Sequence, residues 1–125
     1  MNVVDSSGWL EYFAAGPQAE QFSVVIEQVD ALLVPTIVLV EVTRRVMQQR
    51  GEDAALQIVA MLHQGQVVPL HSGIALSAAQ LGVAHKLPLA DSIIYATAKQ
   101  YQATVWTMVA HFADLPHVRY VPKRP

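Results

Sequence analysis

The chain contains no cysteine, which removes disulfides and thiolate metal sites together. That absence fits a reducing cytoplasm, the expected location. Charged residues are also scarce, at 14% against 53% hydrophobic. A small domain so composed cannot cover itself fully with polar surface, so part of its apolar surface is expected to meet another chain. Basic residues are not in excess: the formal net charge is −2, which argues against binding nucleic acid by bulk electrostatics and leaves room only for a local basic patch. No long apolar run exists. The best, Ala31 to Val40, contains Pro35 and falls far short of the roughly 20 residues that a membrane helix needs. A soluble protein with no membrane partner is expected. The opening Met1-Asn2-Val3-Val4-Asp5 lacks a basic leader and meets an acid at once, so it reads as part of the fold and not as a secretory signal. Repeats, linkers and low-complexity tracts are absent, and the 125 residues read as a single domain.

What is present is an alternation of strand and helix signals. Asn2–Asp5, Ala31–Pro35, Gln66–Leu70, Thr104–Thr107 and Val118–Val121 are short, rich in Val and Leu, and bounded by Pro, Gly, Asp or His. Between them, Thr36 is the expected N-cap of a helix towards Gln49 that stops at Gly51, and Ser72 the expected cap of a helix through Val83. Pro88 starts the helix that holds Asp91, Asp53–His63 is a further helix, and Trp9 to Val29 reads as two short helices broken near Gly16-Pro17. Strands apolar on both faces and interleaved with helices predict a parallel sheet covered on both sides, an α/β three-layer sandwich.

Three acids stand out against apolar surroundings: Asp5 ends the first strand, Glu41 follows Ile37-Val38-Leu39-Val40, and Asp91 opens Ala90-Asp91-Ser92-Ile93-Ile94. Each has an ordinary explanation. Asp5 suits a helix cap, Glu41 suits an ion pair with Arg45 or Arg44, and Asp91 suits the positive end of a helix dipole. Together they fall at the carboxyl edge of the expected sheet, where ligands bind in such folds. Oxygen ligands of this kind suit Mg²⁺ or Mn²⁺. The five histidines show no paired spacing on one helix and read as surface or loop residues, while Trp9, Tyr12 and Phe13 read as packing. Neither a Ser-His-Asp order nor a glycine-rich phosphate loop is present. A phosphoacceptor receiver domain would need an acid closing a strand near mid-chain, where Gln66–Leu70 is followed by His71.

Val3-Val4-Asp5-Ser6-Ser7-Gly8-Trp9-Leu10-Glu11-Tyr12-Phe13 resembles the opening of PIN-domain ribonucleases, in particular the VapC toxins of VapBC toxin–antitoxin systems. Val34-Pro35-Thr36 leading to Glu41-Val42, then Leu87-Pro88-Leu89-Ala90-Asp91-Ser92-Ile93-Ile94-Tyr95-Ala96, follow in that family's order, and Val105-Trp106-Thr107 with Leu115-Pro116-His117-Val118 resembles its closing segment. The resemblance implies a PIN-like sandwich, Mg²⁺- or Mn²⁺-dependent cleavage of RNA, a VapB-like antitoxin partner, and Asp5, Glu41 and Asp91 as catalytic metal ligands. By the same likeness Ser7 and Thr107 are supporting residues. The chain departs from the pattern where a fourth acid is usual, at Val109, and where another Asp is common, at His111. Asp114 lies nearby, out of register. Two readings therefore stay open: an active toxin nuclease, and a degenerate PIN domain that binds antitoxin or RNA without efficient cleavage. Arg44, Arg45 and Lys86, with Arg119, Lys123 and Arg124, are the candidate phosphate contacts. The apolar helix Asp53–His63, or a neighbour, is the expected homodimer contact.

Overall fold

Short runs of Val and Leu leave each strand apolar on both faces, and five of them pair edge to edge into one sheet. The computed structural model describes residues 1–124. Along the chain run β1 (Asn2–Val4), α1 (Ser6–Phe13), α2 (Ala19–Ile26), β2 (Leu32–Pro35), α3 (Thr36–Arg50), α4 (Glu52–Leu62), β3 (Gln66–Val68), α5 (Ser72–His85), α6 (Leu89–Gln100), β4 (Thr104–Thr107) and β5 (Val118–Tyr120). The strand order is β3-β2-β1-β4-β5 and every pairing is parallel, with Val3 opposite Leu33 on one side and Val105 on the other. Val3, Val4, Leu32, Leu33, Val34 and Val105 are buried, as a sheet covered on both faces requires.

The chain steps outward from β1 to β2 to β3 and then returns to the far side of β1 for β4. Right-handed crossovers place the helices of the first two connections on one face and those of the third on the other. Consistent with this, α2 packs on β1 and α3 on β2, while α6 lies across β1, β2 and β4 beneath α5. Residues Ser92 to Ala98 of α6 are all buried, which marks a helix enclosed on every side. Its two hydroxyls bond back into the helix, Ser92 to the Leu89 carbonyl at 2.6 Å and Thr97 to the Ile93 carbonyl at 2.8 Å. The expected three-layer α/β sandwich is therefore the fold observed.

Several boundaries differ from expectation, for local reasons. α1 begins at Ser6, ahead of Trp9, because Asp5 caps it by accepting from the Gly8 N–H. Thr36 is the first residue of α3, not its cap. Pro35 takes the cap position with no side-chain bond, and the Thr36 hydroxyl accepts instead from the Leu70 N–H at 3.2 Å. Ser72 likewise lies inside α5, whose cap is His71, with Nδ1 accepting from the Ile74 N–H. α4 is apolar on two sides: Ala55, Ile58 and Leu62 are buried, while Leu56 and Met61 are exposed. Trp9 is fully buried, stacked on Phe13 and edge-on to Tyr12, so the aromatic cluster is packing. No described helix is long and apolar enough to cross a membrane.

Candidate functional site

The strand order reverses between β1 and β4, and a crevice opens at the carboxyl ends of strands at such a point. Asp5 and Thr107 stand side by side there, because the Asp5 N–H continues the ladder by donating to the Trp106 carbonyl at 3.1 Å. Asp5 is only 2% exposed. One carboxylate oxygen, Oδ1, accepts from the Ser7 hydroxyl at 2.6 Å and the Gly8 N–H at 3.0 Å, and Oδ2 accepts from the Thr107 hydroxyl at 2.6 Å. The two hydroxyls are themselves oriented. Ser7 accepts from the Met108 N–H at 3.0 Å and Thr107 from the Val109 N–H at 2.9 Å. Two backbone amides of the segment after β4 thus act through hydroxyls on one buried carboxylate. Even so, burial pushes the Asp5 carboxyl above its ordinary range; the three hydrogen bonds oppose that rise and the neighbouring Asp91 charge adds to it.

Asp91 reaches this edge because α6 begins beside it. The helix starts at Leu89 after Pro88, which puts Asp91 in the first turn. Its Oδ2 stands 3.2 Å from His111 Nδ1, with Asp91 17% and His111 56% exposed. Glu41 stands half-buried in the second turn of α3 and is tied to this edge only through Ser6. It accepts from the Ser6 hydroxyl at 2.6 Å, and among the described residues it forms no ion pair with Arg44 or Arg45. The adjacent serines are divided between two acids, Ser7 to Asp5 and Ser6 to Glu41.

Sequence reasoning missed Ser6 and His111. Ser6 carried one signal, its place beside Asp5. His111 carried another, its place where an acid was expected, but grouping it with surface histidines hid its contact with Asp91. Val109 half-packs against the core and offers this edge its N–H and no carboxylate; Asp114 is exposed. Of the basic candidates, Arg45, Lys123 and Arg124 line one groove with Ser7. Arg119 instead lies over the Trp106 ring, 5.4 Å from its centre. Lys86 closes α5 in a left-handed conformation, and neither it nor Arg44 lines the groove.

Among the described residues, no group of three or more His, Asp or Glu side chains is placed to hold one ion. The acids are thus not a closed protein cage. Mg²⁺ and its like rarely need one, since such ions keep several waters and are held by one or two carboxylates plus substrate phosphates. The all-oxygen donors of Asp5 and Asp91 fit an ion of that kind, and the raised Asp5 carboxyl is the feature that a cation would relieve.

The fold has close counterparts among solved structures. A toxin–antitoxin complex from Klebsiella pneumoniae matches with a TM-score of 0.82 at 21% identity, over 95% of this chain and 96% of that one. VapC20 of Mycobacterium tuberculosis, a sarcin-ricin loop cleaving toxin, matches with a TM-score of 0.77 at 16% identity over the whole of both chains. VapBC2 of Rickettsia felis, bound to a DNA fragment from its promoter, matches at 0.75 and 12% identity over 97% of each chain. No curated protein matches in sequence. The family model of the PIN domain, however, matches residues 3–117, and the chain belongs to the PIN-domain family.

Proposed function

We propose that this protein is a metal-dependent endoribonuclease that acts as the toxin of a type II toxin–antitoxin pair. The observation that carries the reading is Asp5: a buried carboxylate at the switch point of the sheet, fixed by three donors and destabilised by burial and by Asp91. Three hydrogen bonds offset only part of the cost of burying that charge, which leaves a carboxylate that a bound cation would relieve. Asp5, Glu41 and Asp91 are the residues that would gather Mg²⁺ or Mn²⁺. When bound, the ion supplies Lewis-acid stabilisation of the charge that develops on a phosphodiester attacked by water. Ser7 and Thr107 keep both Asp5 oxygens in one orientation throughout, and no side chain serves as nucleophile. The structural counterparts include toxin–antitoxin complexes, which supports a VapB-like antitoxin as partner, and the proposed mode is an amphipathic segment laid into an apolar groove. Cytoplasmic action follows from that role.

One observation favours a second reading, a PIN domain that binds antitoxin or RNA without efficient cleavage: Val109 and His111 leave the closing side of the site without a carboxylate. An RNA cleavage assay separates the two. Wild-type protein with millimolar Mn²⁺ should cut single-stranded RNA, with loss of cutting in EDTA and in Asp5→Asn. RNA binding with no Mn²⁺-dependent cleavage would establish the second reading and sink the first.

A further inference from the structure

Beside Ser7 the surface opens into a groove of about 450 Å³ that Arg45, Lys123 and Arg124 line from two separate parts of the chain. Leu10 and Met108 give it apolar walls. Its one acid, Glu11, keeps its charge but is held by the Gln18 N–H at 2.8 Å. Three cations against one carboxylate leave the groove net positive, with apolar surface, next to a residue that holds Asp5, which matches a polyanion with base and sugar faces.

Two hydrogen bonds decide where the C-terminal cations stand. The Val121 N–H donates to the Thr107 carbonyl at 2.7 Å, which ties the segment after β5 to the strand that carries the site. Gln18, in the α1–α2 connection and only 5% exposed, donates from Nε2 to the Pro122 carbonyl at 2.9 Å. Its Oε1 accepts from Gln21 Nε2 at 2.6 Å, so the amide is locked with its donor towards Pro122. A buried polar side chain whose only long-range bond among the described residues holds the residue before Lys123 and Arg124 is unnecessary for a core of aliphatic residues. Lys123 also borders a second cleft, with Ser7 and Val109, so this wall lies between the groove and the closing edge of the site.

We propose that this groove carries the single-stranded RNA flank beside the scissile phosphate, and that Gln18 is the positioning residue that holds its C-terminal wall. The proposal rests on the ribonuclease reading and adds the path of the strand. Phosphates meet Arg45, Lys123 and Arg124, and Leu10 and Met108 take the base or sugar faces.

The test is fluorescence anisotropy of a labelled single-stranded RNA with the intact protein in EDTA, where binding is read without cleavage, repeated across salt concentrations. Arg45→Ala, Lys123→Ala and Arg124→Ala should each weaken binding about three- to tenfold and lower the log–log salt slope by about 0.7. Gln18→Ala should match the Lys123→Ala/Arg124→Ala pair in both measures, and adding it to that pair should cause no further loss. Lys99→Ala, outside the groove, should change neither. Lys123 and Arg124 are exposed, so their variants test the groove even if Gln18→Ala folds poorly. A folded Gln18→Ala protein with unchanged affinity and slope overturns the positioning role. Unchanged RNA binding and KM in the three cation variants, with Mn²⁺-dependent cleavage intact, overturns the groove and leaves the nuclease reading standing. If those variants lose only affinity for an antitoxin peptide, the groove belongs to a protein partner and the proposal fails. Wild-type protein that neither binds nor cuts RNA removes both.

Discussion

Asp5 performs two jobs with one side chain, since Oδ1 caps α1 through Gly8 while both oxygens stay oriented at the mouth of the crevice. Its cost has a definite sign. With the folded-state carboxyl raised from the ordinary 3.8, chiefly by burial, the native state holds its proton when the unfolded chain has released it. Its own contribution to stability is therefore greatest below the ordinary value and is lost as pH rises from there through the raised one. Through Asp5 alone, metal-free protein should lose melting temperature as pH climbs through that window. Asp5→Asn should flatten the dependence, because its amide does not titrate and the Thr107 hydroxyl can turn to accept from it. Asp5→Ala leaves buried donors unpaired and should be less stable than Asp5→Asn by about 1–3 kcal/mol. Mn²⁺ should raise the melting temperature of wild type and not of Asp5→Asn. Thermal melts across pH with and without Mn²⁺ check all three, and a wild-type curve indifferent to Mn²⁺ would count against the metal. At Val109, which lines a cleft with Ser7 and Lys123, Val109→Asp should tighten Mn²⁺ binding by adding an oxygen ligand and a charge. Measuring affinity and melting temperature on the same sample separates this from burial cost: a folded variant with unchanged affinity shows that position 109 does not face the ion.

At the scale of elements, the site depends on how closely α1 can approach β1 and α2. A Cβ on Gly8 would lie 2.6 Å from Val4 Cγ1 and 2.7 Å from the Phe22 ring, far inside contact distance. Both neighbours are buried, so neither can yield freely. Ala at this helical position gains about 1 kcal/mol in helix propensity, but overpacking a tight core typically costs about 1–3 kcal/mol. Gly8→Ala should therefore destabilise the protein by up to about 2 kcal/mol, and should blunt the Mn²⁺ effect because the Gly8 N–H donates to Asp5 Oδ1. Urea denaturation with and without Mn²⁺ measures both. Gly82 serves a related purpose between α5 and α6, where a Cβ would stand 3.1 Å from Ser92 Cβ.

The whole molecule leaves apolar surface uncovered, as its composition implied. Leu56 is 67% exposed on α4, and Leu76 and Val83 are 70% and 83% exposed on α5, spaced seven residues apart on one helical face. Sedimentation at tens of micromolar should show a dimer, and Leu76→Glu with Val83→Glu should return it to monomer more completely than Leu56→Glu; a wild-type monomer would end the homodimer idea. Sequence alone carried the alternation of Val-rich strands and longer helices, since a doubly covered parallel sheet needs strands apolar on both faces. It also singled out Asp5, Glu41 and Asp91, because carboxylates in apolar context are conspicuous at any sequence distance. The partners that set their chemistry were not legible. Whether Asp5 meets Thr107, Ser6 meets Glu41, Asp91 meets His111 or Gln18 meets Pro122 depends on contacts between residues 20 to 104 positions apart. Local periodicity fixes which way a side chain leaves its own element, and only the strand order and crossovers decide what it meets there.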